Sequence, residues 1–161
     1  GYDDKILSQI KEASSKIPIL LSSNTSIGIS LMNDLVSKMA ENLNGFDIEI
    51  IETHHNKKVD SPSGTATTLF NAINQTLENK MNLINGREGN HKRDKNEIGM
   101  HSIRGGSVVG EHRVIFYGDD EAIEVKHSAM SKKIFVYGAI KAAKFLIGKK
   151  PNLYGMKDVL S

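Results

Sequence analysis

Two imidazoles, two ammonium groups and a helix-start signal share the short stretch from Glu52 to Ala66, read as ETHHNKKVDSPSGTA. A segment of this kind is equipped to bind an anion and to donate a proton. Pro62 suits a first helical position with Asp60 or Ser61 before it as cap, so the spacing predicts a helix beginning there. The amides of Ser63, Gly64 and Thr65 would then fall among the first-turn donors that the helix itself cannot use. Together with the positive end of the helix dipole they suit a carboxylate or phosphate oxygen. Gly64 costs about 1 kcal/mol relative to Ala in a helix, which points to a close approach of some group to the backbone. Lys58 adds a full positive charge. His54 or His55 can supply a proton near neutral pH.

Each of these signals also has an ordinary structural explanation. Consecutive strand residues point to opposite faces, so one histidine could face the core and the other water. Lys58, next to Lys57, could be a solvated surface lysine, and Ser63 to Thr65 a plain helix cap. The combination is more specific than its parts. It makes one histidine the acid and the other an orienter or a substrate contact.

The elements that must carry this segment can be read from periodicity. Residues 3 to 15 read as a polar-faced helix and 17 to 21 as a short buried strand. Ser22 to Ser26 form a loop and cap. Ile27, Leu31, Leu35, Met39 and Leu43 recur at every fourth position and predict a long helix with one buried stripe, closed by Asn44 and Gly45. Phe46 to His54 alternates as a strand that delivers the histidines at its carboxyl end. Thr65 to Leu77 is a helix through Ala66, Leu69, Phe70 and Ile73. Residues 85 to 96 read as a long mobile loop whose Lys92, Arg93 and Lys95 are solvated. Strands at 98 to 104, 111 to 117 and 122 to 127, joined by short polar turns, predict an antiparallel meander. A last long helix covers 131 to 147, its small residues suited to close packing. The fold class is α+β, a mixed and largely antiparallel sheet of about four strands covered by helices.

At 161 residues the chain can hold a real core, and a net charge of +2 gives no pull toward nucleic acid or a membrane. It has no cysteine, which removes disulfides, thiolate metal sites and a cysteine nucleophile and is compatible with a reducing compartment. No apolar run approaches the roughly 20 residues that span a bilayer, and the first residues do not resemble a signal peptide. A cytoplasmic protein is the expectation. The chain starts at Gly1 and Tyr2 without a methionine and runs straight into an amphipathic pattern, as a processed or truncated product would. None of the six histidines shows the helical His-x-x-x-His spacing of a zinc site, so no metal is expected. Arg104, in the glycine-bearing stretch Arg104 to Gly110, is read either as part of a turn or as a further anion ligand.

The segment Glu52 to Ala66 resembles the signature of the 4-hydroxy-tetrahydrodipicolinate reductase family, formerly dihydrodipicolinate reductase, of the diaminopimelate route to lysine. Ser102 to Gly106, Gly110-Glu111-His112, His127, Ala129, Ser131, Phe135, Gly138-Ala139 and the closing Gly155 to Leu160 are similar to that family in the same order. The resemblance implies a two-domain oxidoreductase that uses NADPH or NADH to deliver hydride to a cyclic dicarboxylate and works as a homotetramer. It implies that residues 1 to 25 are a remnant of a Rossmann-type dinucleotide-binding domain, 26 to 131 the substrate-binding and oligomerisation domain, and 132 to 161 a segment returning to the first. It implies His54 and Lys58 as catalytic residues and His55, Ser63, Gly64 and Thr65 as substrate contacts. Gly1, Ser22, Asn24 and Thr25 are implied on the cofactor side.

Two positions depart from the family pattern. Lys132 stands where an arginine is usual, losing bidentate geometry, and Thr25 stands where an aromatic is common, weakening stacking on the cofactor. No Gly-x-Gly-x-x-Gly occurs in the sequence. The chain is therefore expected to be the substrate-binding part of the enzyme and inactive alone. The alternatives are a non-catalytic dicarboxylate-binding or assembly module, and a metal-dependent hydrolase.

Overall fold

The computed structural model describes residues 2–160, so the expectation for Gly1 lies outside the described residues. The order of elements is α1 (Asp4–Ser14), β1 (Pro18–Leu20), α2 (Ile27–Asn42), β2 (Asp47–His54), α3 (Gly64–Thr76), β3 (Asn82–Asn85), β4 (Glu97–Arg104), β5 (Gly110–Tyr117), β6 (Ala122–Ala129), α4 (Lys133–Leu146), β7 (Asn152–Tyr154) and α5 (Met156–Leu160). Two compact units form, one from residues up to Leu31 with those from Lys132 onward, the other from Met32 to Ser131.

In the first unit β1 and β7 pair in parallel, with Ile19 opposite Leu153. Its core gathers Ala142, Met156 and Val159 with Leu20, Ile27 and Phe145. Close packing of α4 is realised at Gly138, where a β-carbon would stand 1.7 Å from the Thr25 carbonyl oxygen. The same loop is tied to α4 by Thr25 Oγ1, which donates to the Phe135 carbonyl at 2.8 Å.

The second unit is built on a five-stranded sheet of order β3-β4-β2-β5-β6. The α+β class and the mixed sheet agree with the sequence reading, with one strand more than expected and a different internal order. Strand β4 runs parallel to β2 and to β3, whereas β2–β5 and β5–β6 are antiparallel. The expected meander therefore holds only for β5 and β6. Strand β2 lies between β4 and β5, so the backbone groups on both of its edges are paired.

One sheet face carries Ile48, Ile50, Ile98, Met100, Val114 and Phe116, all buried, and α3 contributes Ala66, Leu69 and Ile73. The stripe expected on α2 is displaced. Ile29, Met32, Val36 and Ala40 are buried, while Leu31 is 51% and Leu35 41% exposed. A row taken strictly at every fourth residue winds around a helix of 3.6 residues per turn, so mixed steps of three and four define the packed face. Gly45, at φ +90°, closes α2 as expected. The segment after α3 also departs from expectation. Asn82–Asn85 is a strand, and Arg93 is not solvated but bonds Glu49 Oε1 at 3.3 Å, the Ile48 carbonyl at 3.1 Å and the Glu97 carbonyl at 2.7 Å. The loop is thereby anchored to the sheet.

Candidate functional site

The carboxyl end of β2 positions the site through strand register. Glu52 is opposite Ser102 on one side and His112 on the other, and His54 is opposite Arg104. Glu52 and His54, two residues apart, share a face, and that face is the one covered by α3. Glu52 is fully buried. Its Oε2 accepts from His54 Nδ1 at 2.6 Å and from Arg104 Nη1 at 2.8 Å. Its Oε1 accepts from Arg104 Nη2 at 2.7 Å and from the Ser63 amide at 3.1 Å. Burial works to raise this carboxyl, but the hydrogen bonds from Arg104, Ser102 and His54 outweigh it and hold it at about 2. It is a permanent anion at neutral pH.

That carboxylate joins the two halves of the site. The Nδ1–H of His54 rests on Glu52, so Nε2 is the nitrogen left to act, and no described residue bonds it. The wall beside Nε2 is Gly110, where a β-carbon would come to 3.1 Å from this atom. The helix start is fixed by the other oxygen of Glu52. Here the structure corrects the sequence reading. Ser63, not Asp60 or Ser61, is the N-cap, its side chain accepting from the Ala66 amide at 3.2 Å. Pro62 stands before the cap, and Gly64 is the first helical residue. The Ser63 amide is turned inward to Glu52, and Ser63 is only 2% exposed. Gly64 is exposed, with nothing within 4 Å of the place a β-carbon would take. The exposed start of the first turn is thus Gly64 rather than Ser63.

His55 and Lys58 lie in the turn that follows β2. The Gly105 amide donates to the His54 carbonyl at 2.9 Å, and the Asn56 amide to the Gly106 carbonyl at 3.2 Å, which locks this turn to the next. Gly106 adopts φ +51°, a conformation that favours glycine. Lys58 Nζ is paired with Asp60 at 2.7 Å, so its charge is already shared in this arrangement. Asp60 is held below the usual carboxylate range by the hydrogen bond from Lys58. Arg104 is engaged with groups of the protein itself. Its guanidinium chelates Glu52 and donates to the Asp60 carbonyl at 2.8 Å, which places it in the structural frame of the site.

Sequence reasoning assigned no role to Glu52 or His112. Glu52 carries a legible signal, a carboxylate two residues before a histidine on a strand. His112 stands in a stretch that resembles the family, but its place beside Ser63 comes only from the register. It is 5% exposed, its Nε2 lies 3.0 Å from Ser63 Oγ, and its ring packs edge-on to His54 with centroids 5.2 Å apart. Burial, followed by the neighbouring His54, pushes it down to about 4, against an opposing pull from Glu52. No group of three or more His, Cys, Asp or Glu that could hold a metal is found among the described residues.

In the first unit, Ser22, Asn24 and Thr25 form a self-bonded loop. Ser22 Oγ donates to the Asn24 carbonyl at 2.7 Å, and Asn24 Oδ1 accepts from the Ser26 amide at 2.8 Å. Among the described residues, no helix is long and apolar enough to cross a membrane.

Residues 28–160 match the family model described as "Dihydrodipicolinate reductase, C-terminus". The 4-hydroxy-tetrahydrodipicolinate reductase of Brachyspira hyodysenteriae is 69% identical over 161 residues, a match covering 100% of this chain and 70% of that protein. That of Caldanaerobacter subterraneus subsp. tengcongensis is 52% identical, covering 99% of this chain and 64% of its own length. The chain thus spans 64 to 70% of the length of these curated relatives. A solved structure, dipicolinate-bound dihydrodipicolinate reductase from Paenisporosarcina sp. TG-14, matches with a TM-score of 0.78 and 25% identity, covering 98% of this chain and 61% of that one. With a family match over residues 28–160 and a relative 69% identical over the whole chain, the chain belongs to the dihydrodipicolinate reductase family.

Proposed function

We propose that this chain is the substrate-binding part of a 4-hydroxy-tetrahydrodipicolinate reductase of the diaminopimelate route to lysine, and that it holds a cyclic dicarboxylate at the end of β2. The observation that carries this reading is a buried carboxylate, Glu52, which fixes both a histidine whose Nε2 no described residue bonds and a helix start with an exposed glycine. His54 acts as the acid, giving up the proton on Nε2 while Nδ1–H stays on Glu52. The first-turn amides of Gly64 and Thr65 and the hydroxyl of Ser63 receive one carboxylate. Lys58 exchanges Asp60 for the ligand and neutralises charge, and His55 supplies a further contact. A dianion suits this set of donors, whereas a neutral ligand would leave cationic groups unpaired.

A nicotinamide dinucleotide, NADPH or NADH, supplies hydride when bound. The loop Ser22–Asn24–Thr25 is our candidate for contact with it. Since Ser22 and Thr25 use their hydroxyls to shape the loop, what they offer is backbone. Residues 1 to 25 and 132 to 161 belong, on this reading, to a dinucleotide-binding domain, and 26 to 131 to the substrate domain. The protein works in the cytoplasm as a homotetramer, and the chain by itself binds dicarboxylate without turning it over. Titration calorimetry with pyridine-2,6-dicarboxylate tests the proposal. Saturable binding that weakens at least tenfold in Lys58→Ala is expected, and absence of binding overturns it.

A further inference from the structure

Ser63 Oγ is bonded from two sides, by the Ala66 amide at 3.2 Å and by His112 Nε2 at 3.0 Å. Which atom donates in the second bond depends on the tautomer of His112. If the proton were on Nδ1, a buried N–H would have no acceptor, because Nδ1 is inaccessible and unpartnered among the described residues. Orphaned buried N–H groups are rarer than under-used acceptors, so the proton belongs on Nε2, with a bare lone pair on Nδ1. His112 then donates to Ser63, as Ala66 does. Both lone pairs of the hydroxyl oxygen are filled. The remaining hydroxyl proton has no acceptor on any described residue. Ser63 is nearly buried, so this proton reaches only a group seated against the helix start.

We infer that His112 is a positioning residue that makes Ser63 an obligate donor, so that the helix start takes a carboxylate and discriminates against an uncharged carboxamide. The inference rests on the proposed dicarboxylate function and deepens it. The groups offered at the helix start and the adjoining turn, namely the first-turn amides, the Ser63 hydroxyl and the Lys58 ammonium, are then all donors. A carboxamide would have to place its own NH2 against one of them and leave two donors face to face.

The test uses nitrogen NMR of the chain together with binding of pyridine-2,6-dicarboxylate and of its monoamide. In the wild-type chain at neutral pH, His112 should show a protonated Nε2 and a bare Nδ1. His112→Gln keeps a donor facing Ser63 and should bind the dicarboxylate within about threefold of wild type. His112→Leu removes the donor and should weaken dicarboxylate binding about tenfold or more while narrowing the preference over the monoamide. A His112 protonated on Nδ1, or a His112→Leu chain with unchanged affinity and preference, overturns the inference. Failure of the wild-type chain to bind the dicarboxylate overturns the functional reading instead, and the NMR result stands apart from that outcome.

Discussion

Replacing Glu52 by Gln removes a negative charge from a fully buried position that receives Arg104 twice, His54 Nδ1 and the Ser63 amide. The carboxyl is held at about 2, against an ordinary 4.5. By linkage that difference corresponds to about 3 kcal/mol of folding free energy at neutral pH. Removing one member of a buried ion pair costs about 3–5 kcal/mol by independent reasoning, so the two arguments agree in size. The sign is fixed by the direction of the shift. A depressed carboxyl stabilises the fold above its unfolded value of 4.5, and the contribution is lost as pH falls toward 2. Urea unfolding of both chains at pH 7 and pH 3 measures this. Glu52→Gln should be less stable by about 3 kcal/mol at pH 7, and the gap should narrow by about 2 kcal/mol at pH 3. A gap below about 1 kcal/mol at pH 7, or one of equal size at both values, would refute the assignment of Glu52 as a permanent anion anchoring the site.

Gly110→Ala places a methyl group 3.1 Å from His54 Nε2; dicarboxylate affinity should fall several-fold, with stability changed by no more than about 1 kcal/mol in urea unfolding. Gly138→Ala meets the Thr25 carbonyl at 1.7 Å, and because backbone must move, the first unit should lose about 1–3 kcal/mol, read as earlier loss of protection in hydrogen exchange at α4. Exhaustive treatment with a chelator should leave dicarboxylate binding unchanged by calorimetry, since the proposed contacts are all protein donors.

The long elements were legible because their patterns are local. The alternation of Ile48 and Ile50, the α3 stripe Ala66, Leu69 and Ile73, and the closing Gly45 all follow from periodicity and backbone freedom. The sheet order was not legible, because placing β2 between β4 and β5 depends on pairings across sequence separations that no local pattern encodes. The same holds for the site. The segment proposed to face the ligand was picked out by residue types, whereas Glu52, Arg104 and His112 converge only through register. Arg104 could be read only as part of a turn or as an anion ligand, because its true partner, the buried Glu52 carboxylate, is brought to it by strand pairing. Likewise Arg93 looked solvated because its partners, Glu49 and the backbone of Ile48, lie on a distant strand.

The central claim is that one carboxylate of a dianionic ligand sits on the first turn of α3 beside His54. Amide and imidazole NMR during titration with pyridine-2,6-dicarboxylate tests it most directly. The account predicts saturable shifts of the Gly64 and Thr65 amides and of His54 Nε2, all following one binding curve. A ligand that binds while leaving those three groups unshifted would contradict it.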